Sequence, residues 1–389
     1  MKRYLFMLLS LLLLTACAAP SPANPEPASA PAPADASELT WDALTVQDSM
    51  DLQYADQFSV DYFQDGYKLI TVAGTERYLV VPEGSPAPAG LPDGVAVLPQ
   101  PLDAIYLAAT SSMDLFRELG AVDRIRFSAL DAGSWYIQEA KDALEQGEMQ
   151  YAGKYSAPDY ETIIDGGCDL AIESTMIYHD PEVQEQLERF GIPVLVERSS
   201  YEAHPLGRME WVRLYAALLN LEEKGDAFFR DQLDRLTPIL DQPETGKTVA
   251  FFYVTSNGTV NVRKSGDYIA KSIALAGGRY AFDGLADETG NALSTMVMQM
   301  EAFYDGAKDA DVLIYNSSID AELTTIDQLL DKSGVLADFK AVQNGHVWCT
   351  GKNLFQESLG LGDFIADLHQ ILNSPDPENL SLTYLHRLT

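Results

Sequence analysis

The sequence predicts an α/β protein of two lobes with mainly parallel sheets flanked by helices, joined by a long rigid helix and preceded by an extra N-terminal β segment. Strands alternate with helices on both sides of residues 206–240, a pattern typical of parallel sheets covered on both faces. Residues 206–240 themselves form the longest helical stretch, and residues 56–109 contain short strands without helices. The predicted domains are a first lobe (46–205), a connecting helix region (206–240) and a second lobe (241–389).

The N-terminus reads as a targeting segment. Lys2 and Arg3 precede the apolar run 5–14, which is too short to span a bilayer. Residues 1–16 are therefore predicted to be a signal peptide, and the sequence Leu-Thr-Ala-Cys ending at Cys17 resembles a bacterial lipobox. The alternative is an ordinary signal peptide with an incidental cysteine. A lipobox predicts export, lipidation of Cys17 and anchoring outside the cytoplasm, with membrane contact only through the lipid.

Residues 17–45 are predicted to be a disordered tether, because this Pro- and Ala-rich segment cannot bury enough surface to offset the entropy of ordering. The remaining chain of about 345 residues is long enough for two domains. The net charge of −32 argues against a nucleic-acid partner, which requires a basic face. Apart from Cys17, only Cys168 and Cys349 remain, so two separate core cysteines are expected rather than a disulfide framework.

Turn signals and hydrophobic period place the elements of the first lobe. The extra β segment is predicted to contain strands Gln57–Phe63, Tyr67–Val72, Arg77–Val81, Val95–Leu98 and Ile105–Ala108. The alternating part is predicted to contain helix Ser112–Leu119, strand Ile125–Ala129, helices Tyr136–Glu145 and Pro158–Ile164, strand Asp169–Glu173, helix Pro181–Phe190 and strand Pro193–Glu197.

The connector is predicted to contain two helices that meet near Asn220, because Asn220 and Gly225 are poor helix formers. The first, about Leu206–Leu219, would span about 20 Å at 1.5 Å per residue. An ordinary surface helix pair within one domain is the alternative. The second lobe follows, with strands Thr248–Val254 and Val260–Arg263, helices Tyr268–Ala276 and Met300–Ala307, strand Asp311–Asn316, helix Ile326–Lys332, strand His346–Thr350 and a helical region Asp363–Leu372.

A sequence pattern in the first half recurs in the second. Glu161, Asp165, Gly166 and Asp169 have the same spacing as Glu301, Asp305, Gly306 and Asp309. In both copies the glutamate lies early in a predicted short helix, the glycine ends that helix, and a strand begins within two residues of the last aspartate. The repeat predicts two lobes of related design, each presenting one carboxylate at an equivalent place.

These features resemble the bacterial solute-binding proteins of ABC importers for iron siderophores, haem and cobalamin. The resemblance covers about residues 100–372 and depends on the order of several short motifs: the lipobox at Cys17, Ala108–Ser112 with Leu115–Gly120, Pro158–Glu161 before Asp169–Ile172, Phe190–Val194, the connector, Ile273–Gly278, and Glu301 before Asp311–Ile314. It implies a monomer with a ligand cleft between the lobes. It also implies that Glu161 and Glu301 dock onto a permease dimer powered by a cytoplasmic ATPase.

The expected ligand site lies where loops follow the carboxyl ends of the strands. Its candidate residues are Trp135, Tyr136, Met176, Tyr178, His179, Tyr201, His204, Arg208, Arg263, Lys264, Tyr280 and Asn316. Aromatic faces suit a planar ring or catecholate, and arginine suits anionic groups. His179 and His204 could supply an axial imidazole to a haem or corrinoid, but five histidines are few for a bare-metal site. No cofactor is predicted beyond the ligand, a metal chelate or tetrapyrrole.

A lipid-anchored surface hydrolase is the alternative from another class of protein. The sequence contains no Gly-x-Ser-x-Gly elbow, no His-Glu-x-x-His motif and no phosphate loop. Cys168 enters a predicted buried strand, which suits an inert thiol rather than a nucleophile. The sequence therefore favours a binding protein that is not an enzyme.

Overall fold

A computed structural model describes residues 39–285, 295–374 and 379–389. The predicted signal peptide, Cys17 and most of the predicted tether lie outside these residues. The end of that tether needs correction, because Leu44 is buried and Trp41 packs against Phe63 with ring centroids 5.9 Å apart. Apolar side chains after the proline-rich run hold this part of the chain on the first sheet. Among the described helices, none is long and apolar enough to cross a membrane.

The extra N-terminal β segment is a five-stranded sheet in the order β1-β2-β3-β4-β5. Its first four strands are antiparallel and β5 is parallel to β4. The strands are β1 (Val46–Ser49), β2 (Phe58–Phe63), β3 (Lys68–Val72), β4 (Glu76–Val81) and β5 (Val95–Pro99).

The first lobe contains a five-stranded parallel sheet in the order β12-β11-β6-β7-β8 and a small pair of strands, β9 and β10. Its strands are β6 (Ile105–Leu107), β7 (Ile125–Ser128), β8 (Gln150–Tyr151), β9 (Gly153–Lys154), β10 (Ala157–Pro158), β11 (Leu170–Ser174) and β12 (Val194–Glu197). Its helices are α1 (Met113–Glu118), α2 (Gln138–Gln146), α3 (Tyr160–Asp165) and α4 (Pro181–Arg189). The predicted parallel sheet is confirmed.

The connector consists of two helices, α5 (Pro205–Leu219) and α6 (Glu222–Leu240), as the sequence predicts. The chain reverses at Asn220, which has a positive φ of 58° and caps α5 in the left-handed conformation. Helix α6 then packs back along α5, and a Cβ on Gly225 would lie 2.6 Å from the Cβ of Ala216. Only glycine allows this close approach of the two helices.

The second lobe contains a seven-stranded sheet in the order β16-β14-β13-β17-β18-β19, with β15 paired to β13. Its strands are β13 (Thr248–Val254), β14 (Val260–Arg263), β15 (Arg279–Tyr280), β16 (Thr295–Met298), β17 (Val312–Tyr315), β18 (Val347–Thr350) and β19 (Leu385–Arg387). Its helices are α7 (Tyr268–Leu275), α8 (Met300–Ala307), α9 (Ile326–Lys332), α10 (Lys340–Gln343) and α11 (Leu361–Asn373). Strands β13, β17 and β18 pair in parallel. The pairs β13–β14, β14–β16 and β18–β19 are antiparallel.

Helix α5 is part of the hydrophobic core rather than a surface helix. Thirteen of its 15 residues are buried, and one continuous apolar cluster extends from the N-terminal sheet through α5 to the second lobe. The ring of Trp211 packs edge-on against Phe58, with centroids 5.3 Å apart. The carboxylate of Glu210 accepts hydrogen bonds from the backbone N–H groups of Tyr54 and Ala55, both 2.9 Å long. Helix α5 thus connects the two lobes, and the N-terminal sheet and both lobes pack around it.

The repeated sequence pattern corresponds to a repeated local structure, with two corrections. Gly166 ends α3 as predicted, whereas Gly306 lies inside α8. Each glycine lies against a phenylalanine ring: a Cβ would come within 2.3 Å of Phe127 at Gly166 and 2.6 Å of Phe282 at Gly306. Asp169 accepts the N–H of Ala104 at 3.0 Å, and its counterpart is Asp311, which accepts the N–H of Thr248 at 2.8 Å. Asp311, rather than the predicted Asp309, is thus equivalent to Asp169.

Candidate functional site

The carboxyl ends of the parallel strands in the two lobes face one another. In the first lobe β7 is followed by the turn 132–134, and in the second lobe β18 is followed by the turn 352–355. The side chain of Gln356 joins these loops, because its Nε2 donates to the carbonyl of Ser134 at 2.9 Å and its Oε1 accepts the N–H of Tyr136 at 2.6 Å. The ammonium of Lys271 on α7 also donates to the carbonyl of Ala203 before α5. The loops predicted to form the ligand site therefore meet.

A second set of contacts joins the lobes beside α1. The Asp114 carboxylate accepts the backbone N–H of Leu359 at 2.7 Å, and the Ser358 hydroxyl donates to the carbonyl of Ser111 at 2.8 Å. Arg117 lies 2.6 Å from Asp114. Burial raises the pKa of the Asp114 carboxyl to about 7 even though Arg117 opposes this shift. The lobes are thus joined here by a buried polar contact.

Arg208 lies between the two lobes. It occupies the first turn of α5 and is only 8% exposed, and its guanidinium carbon lies 4.4 Å from the ring centroid of Tyr268, the first residue of α7. Its guanidinium has no ion pair or hydrogen bond within the part of the chain that the structure describes. A buried guanidinium without a carboxylate partner is costly unless an anion compensates it. Arg208 therefore marks a place suited to an anionic group.

Arg198 forms a similar arrangement directly after β12. Its guanidinium carbon lies 4.5 Å from the ring centroid of Tyr201, and its Nη1 donates to the hydroxyl of Tyr178 at 3.1 Å. Tyr178 follows β11, the neighbour of β12, and is 44% exposed. The sequence prediction included Tyr178 and Tyr201 but not Arg198, although Arg198 also follows a predicted strand and that position could have identified it.

Three predicted ligand residues are buried in the core instead. Trp135 is 1% exposed, with its ring N–H donating to the Ser128 hydroxyl at 3.1 Å. Tyr280 is 3% exposed, and its hydroxyl donates to the carbonyl of Arg263 at 2.7 Å. Asn316 is buried, and its side-chain oxygen accepts the N–H of Ser318 at 3.0 Å. Each of these side chains is buried and has a hydrogen-bond partner within the protein, and their ligand roles stay predictions.

The other candidates lie at the surface or are half-buried. Tyr136, Met176 and His179 are exposed, and Lys264 is half-buried. His204 caps α5, because its Nδ1 accepts the N–H of Leu206 at 3.2 Å, and its ring stacks on Tyr54 with centroids 4.8 Å apart. Burial, and then the nearby Lys271, lowers the pKa of His204. These contacts fix the imidazole as part of the α5 N-terminus.

Arg263 is a predicted second-lobe cation that lies beside the loop after β18. Its guanidinium carbon lies 5.5 Å from the ring centroid of Phe355, and its Nη1 lies 3.6 Å from the Asp267 carboxylate. In contrast to Arg208, this arginine has a carboxylate neighbour in the same lobe. Its charge is therefore partly neutralised by the protein itself.

Glu161 and Glu301 lie on the surface of different lobes. Glu161 is in the first turn of α3, whose N-cap Asp159 accepts the N–H of Thr162 at 3.2 Å, and Glu301 is in the first turn of α8. Both side chains are exposed. Each is therefore free of the core and available for contact with a partner, which is the position that the docking hypothesis requires.

Cys168 and Cys349, the two cysteines within the described residues, are free and buried or half-buried. Burial raises the pKa of both the Cys168 and Cys349 thiols to about 12, so neither is a thiolate at neutral pH. Within the described ranges, no group of three or more His, Cys, Asp or Glu side chains is arranged to hold a metal ion.

A family model and two relatives match most of this chain. A family model described as periplasmic binding protein matches residues 106–354. A lipoprotein of Methanocaldococcus jannaschii, named as uncharacterized, is 26% identical over 357 residues, which are 83% of this chain and 81% of the relative. A second lipoprotein of that organism is 22% identical over 315 residues, 76% of each chain.

Solved structures share the fold. A periplasmic heme binding protein from Pseudomonas aeruginosa aligns with a TM-score of 0.58 and 19% identity over 74% of this chain and 98% of that chain. A structure described as an ABC-type Fe³⁺-hydroxamate transport system from Saccharomonospora viridis aligns with a TM-score of 0.55 and 18% identity over 70% of this chain and 94% of that chain. The N-terminal strands β1–β5 precede the residues that the family model matches.

Proposed function

The chain belongs to the periplasmic binding protein family, and we propose that it is an extracytoplasmic solute-binding lipoprotein of an ABC importer. In this proposal it binds an iron chelate, either a siderophore or haem, or a cobalamin-type ligand between the lobes and delivers it to the permease. Its chemistry is reversible binding, and a cytoplasmic ATPase supplies the energy of transport.

The arginine between the lobes is the observation that carries this proposal. Arg208 on α5 stacks on Tyr268 of α7 and has no acidic partner among the described residues, although the chain has 58 acidic and 26 basic residues. In so acidic a protein, a buried cation would readily find an internal carboxylate if its function were only structural. A ligand carboxylate, phosphate or catecholate would complete the site and would also be attracted to the aromatic rings around it.

The similar proteins support the choice of ligand class and location. Two structures with this fold come from proteins whose names state heme binding and Fe³⁺-hydroxamate transport. Relatives named as lipoproteins support lipidation at Cys17. Exposed glutamates on both lobes, Glu161 and Glu301, support docking to a permease dimer.

The test uses purified protein without its signal peptide, offered ferric siderophores, haem and cyanocobalamin. Native mass spectrometry and absorbance spectra should show one bound ligand from this set, with submicromolar affinity. Sugars and peptides serve as controls. If none of the metal chelates binds and a sugar or peptide does, the proposed ligand class is wrong.

A further inference from the structure

We propose that Arg198, Tyr178 and Tyr201 form a second anion-binding site at the carboxyl edge of the first lobe, and that the ligand is a metal chelate with at least two separate acidic groups. This inference rests on the proposed function and narrows it. A neutral chelate could neutralise the charge of neither guanidinium. A chelate with one acidic group could neutralise only one of Arg198 and Arg208.

The hydrogen-bonding capacity of Arg198 is largely unused. Its Nη1 donates to the Tyr178 hydroxyl at 3.1 Å, whereas its Nε is buried and has no hydrogen-bond partner in the described chain. A guanidinium has five N–H donors in a planar fork that matches the two oxygens of a carboxylate or the oxygens of a phosphate or catecholate. Because a buried donor without a partner costs free energy, a ligand oxygen that pairs with this fork would gain affinity.

Two half-buried arginines elsewhere in the chain have an acidic partner, which Arg198 lacks. Arg117 lies 2.6 Å from Asp114, and Arg213 lies 2.7 Å from Asp226. Arg198 has no ion pair among the described residues, and it acts on the carboxyl of Glu76 only as one contribution that lowers a pKa raised mainly by burial. Arg198 thus keeps its positive charge available on a chain with a net charge of −32.

Both proposed anion sites lie on the part of the chain that runs from the end of β12 to the first turn of α5. Arg198 follows β12 directly and Tyr178 follows the adjacent parallel strand β11, so both lie at the carboxyl edge that faces the second lobe. Arg208 lies on the same connecting segment, in the first turn of α5. Met176 and Tyr178 are 47% and 44% exposed, which leaves this edge accessible to a bulky, partly apolar ligand.

The Tyr201 ring supports Arg198, because the guanidinium carbon lies over this ring at 4.5 Å from its centroid. This stacking leaves the edge of the guanidinium, where its N–H groups point, as the recognition surface. Tyr178 adds a phenolic hydroxyl that can donate to the same ligand oxygen. The arrangement is a preorganised site, because the rings fix the arginine before the ligand arrives.

The test compares wild type with Arg198→Gln, Arg198→Lys and Tyr178→Phe in titrations with four probes: a trianionic ferric tricatecholate, haem with its two carboxylates, a neutral ferric trihydroxamate and neutral cyanocobalamin. A polyanionic probe should bind most tightly, and Arg198→Gln should weaken it about 10- to 100-fold. Arg198→Lys should recover part of this loss, and Tyr178→Phe should weaken it about 2- to 5-fold. Added salt should weaken the wild type more than Arg198→Gln.

Arg189→Gln is the matched control, because Arg189 is an arginine of the same lobe with a side chain 66% exposed. Its affinity should equal that of the wild type, and circular dichroism with thermal melts should show that all variants remain folded. Tightest binding of a neutral probe, or equal affinity of Arg198→Gln and wild type for a polyanionic probe, would overturn the inference and leave the proposed function standing. If no metal chelate binds, the proposed function itself fails, and this inference with it.

Discussion

Arginines of the first lobe and α5 differ from two cations of the second lobe in whether a carboxylate lies beside them. In the first lobe and the start of α5, Arg198 and Arg208 stack on tyrosine rings and have no carboxylate partner among the described residues. In the second lobe, the Lys332 ammonium pairs with Asp320, and Arg263 lies 3.6 Å from Asp267. We infer that the first lobe and α5 supply the charge that recognises the ligand. The second-lobe cations Lys332 and Arg263, by contrast, each have an aspartate of the same lobe beside them.

The lobes are alike where the proposed permease contacts lie. In each, a short helix presents one exposed glutamate, and a glycine of that helix admits a phenylalanine ring, at Gly166 and at Gly306. The two lobes are therefore similar in the short helix that carries the exposed glutamate. They differ in the cations at the cleft. A protein that must bind one asymmetric ligand and dock onto a two-fold permease requires both properties.

The largest effect is expected from reversing the charge of both exposed glutamates. The double variant Glu161→Lys/Glu301→Lys should reduce uptake in cells roughly 100-fold or more, because both carboxylates that we propose as permease contacts would be replaced by cations. Ligand affinity of the purified variant should not change. Glu182→Lys is the control, since Glu182 is also an exposed glutamate in the first turn of a helix. Normal uptake by the double variant would end the docking hypothesis.

The charge difference at the cleft is tested by a matched pair of neutralising substitutions. Arg208→Gln should weaken binding of the anionic chelate about 10- to 100-fold, because a charged hydrogen bond in a buried site is lost. Lys332→Gln removes a cation beside the second lobe's cavity of about 620 Å³, yet should change affinity less than about 3-fold, since Asp320 already neutralises that lysine. Calorimetric titration measures both. Equal losses in the two variants would contradict the proposed division between the lobes.

Much of the fold could be predicted from the sequence because strong turn signals bound its elements. The structure confirms Thr248–Val254, Val260–Arg263, Met300–Ala307 and Ile326–Lys332 at their predicted bounds. Two of the strands that the sequence did not predict, Val46–Ser49 and Thr295–Met298, are edge strands with exposed or half-buried residues. Their apolar alternation is weak because only one neighbouring strand and little of the core constrain them.

The site was predicted less completely, for a reason that Trp135 and Arg198 illustrate. Sequence position showed which residues lie near the carboxyl ends of strands, but side-chain direction depends on packing. Trp135 turns inward because Ser128 offers its ring N–H a partner, whereas Arg198 turns toward the Tyr178 hydroxyl. Aromatic character alone favoured Trp135, and the unpaired charge of Arg198 became visible only with the surrounding side chains in place.

A smaller effect is expected on the free energy of unfolding, and it comes from one buried carboxyl in the sheet of the first lobe. Glu173 on β11 is 0% exposed, both of its carboxylate oxygens lack hydrogen-bond partners in the described chain, and burial raises its pKa from 4.5 to about 8. The folded chain therefore keeps this proton while the unfolded chain releases it, so the free energy of unfolding falls as pH rises from about 4.5 to 8. Glu173→Gln cannot ionise and should not show this loss.

Urea unfolding at several pH values measures the difference between Glu173→Gln and wild type. The two should be similar at pH 5, and the variant should be more stable at pH 8.5 by on the order of 2–4 kcal/mol. Asp327→Asn serves as the control, since Asp327 lies in the first turn of the second-lobe helix α9 and is exposed. A stability difference that does not change with pH would show that Glu173 ionises normally in the folded protein.

The smallest expected effect is at the bridge between the facing loops. Gln356→Ala removes the side chain that accepts the Tyr136 N–H at 2.6 Å and donates to the Ser134 carbonyl at 2.9 Å, so the first-lobe loop should open more often. Hydrogen exchange of the Tyr136 amide should become about 2- to 5-fold faster, because an exposed hydrogen bond contributes little free energy. The Leu359 amide, bonded to buried Asp114, should exchange as in wild type. Unchanged exchange at Tyr136 would mean that the lobes are held together by the contacts beside α1 and not by the bridge across the cleft.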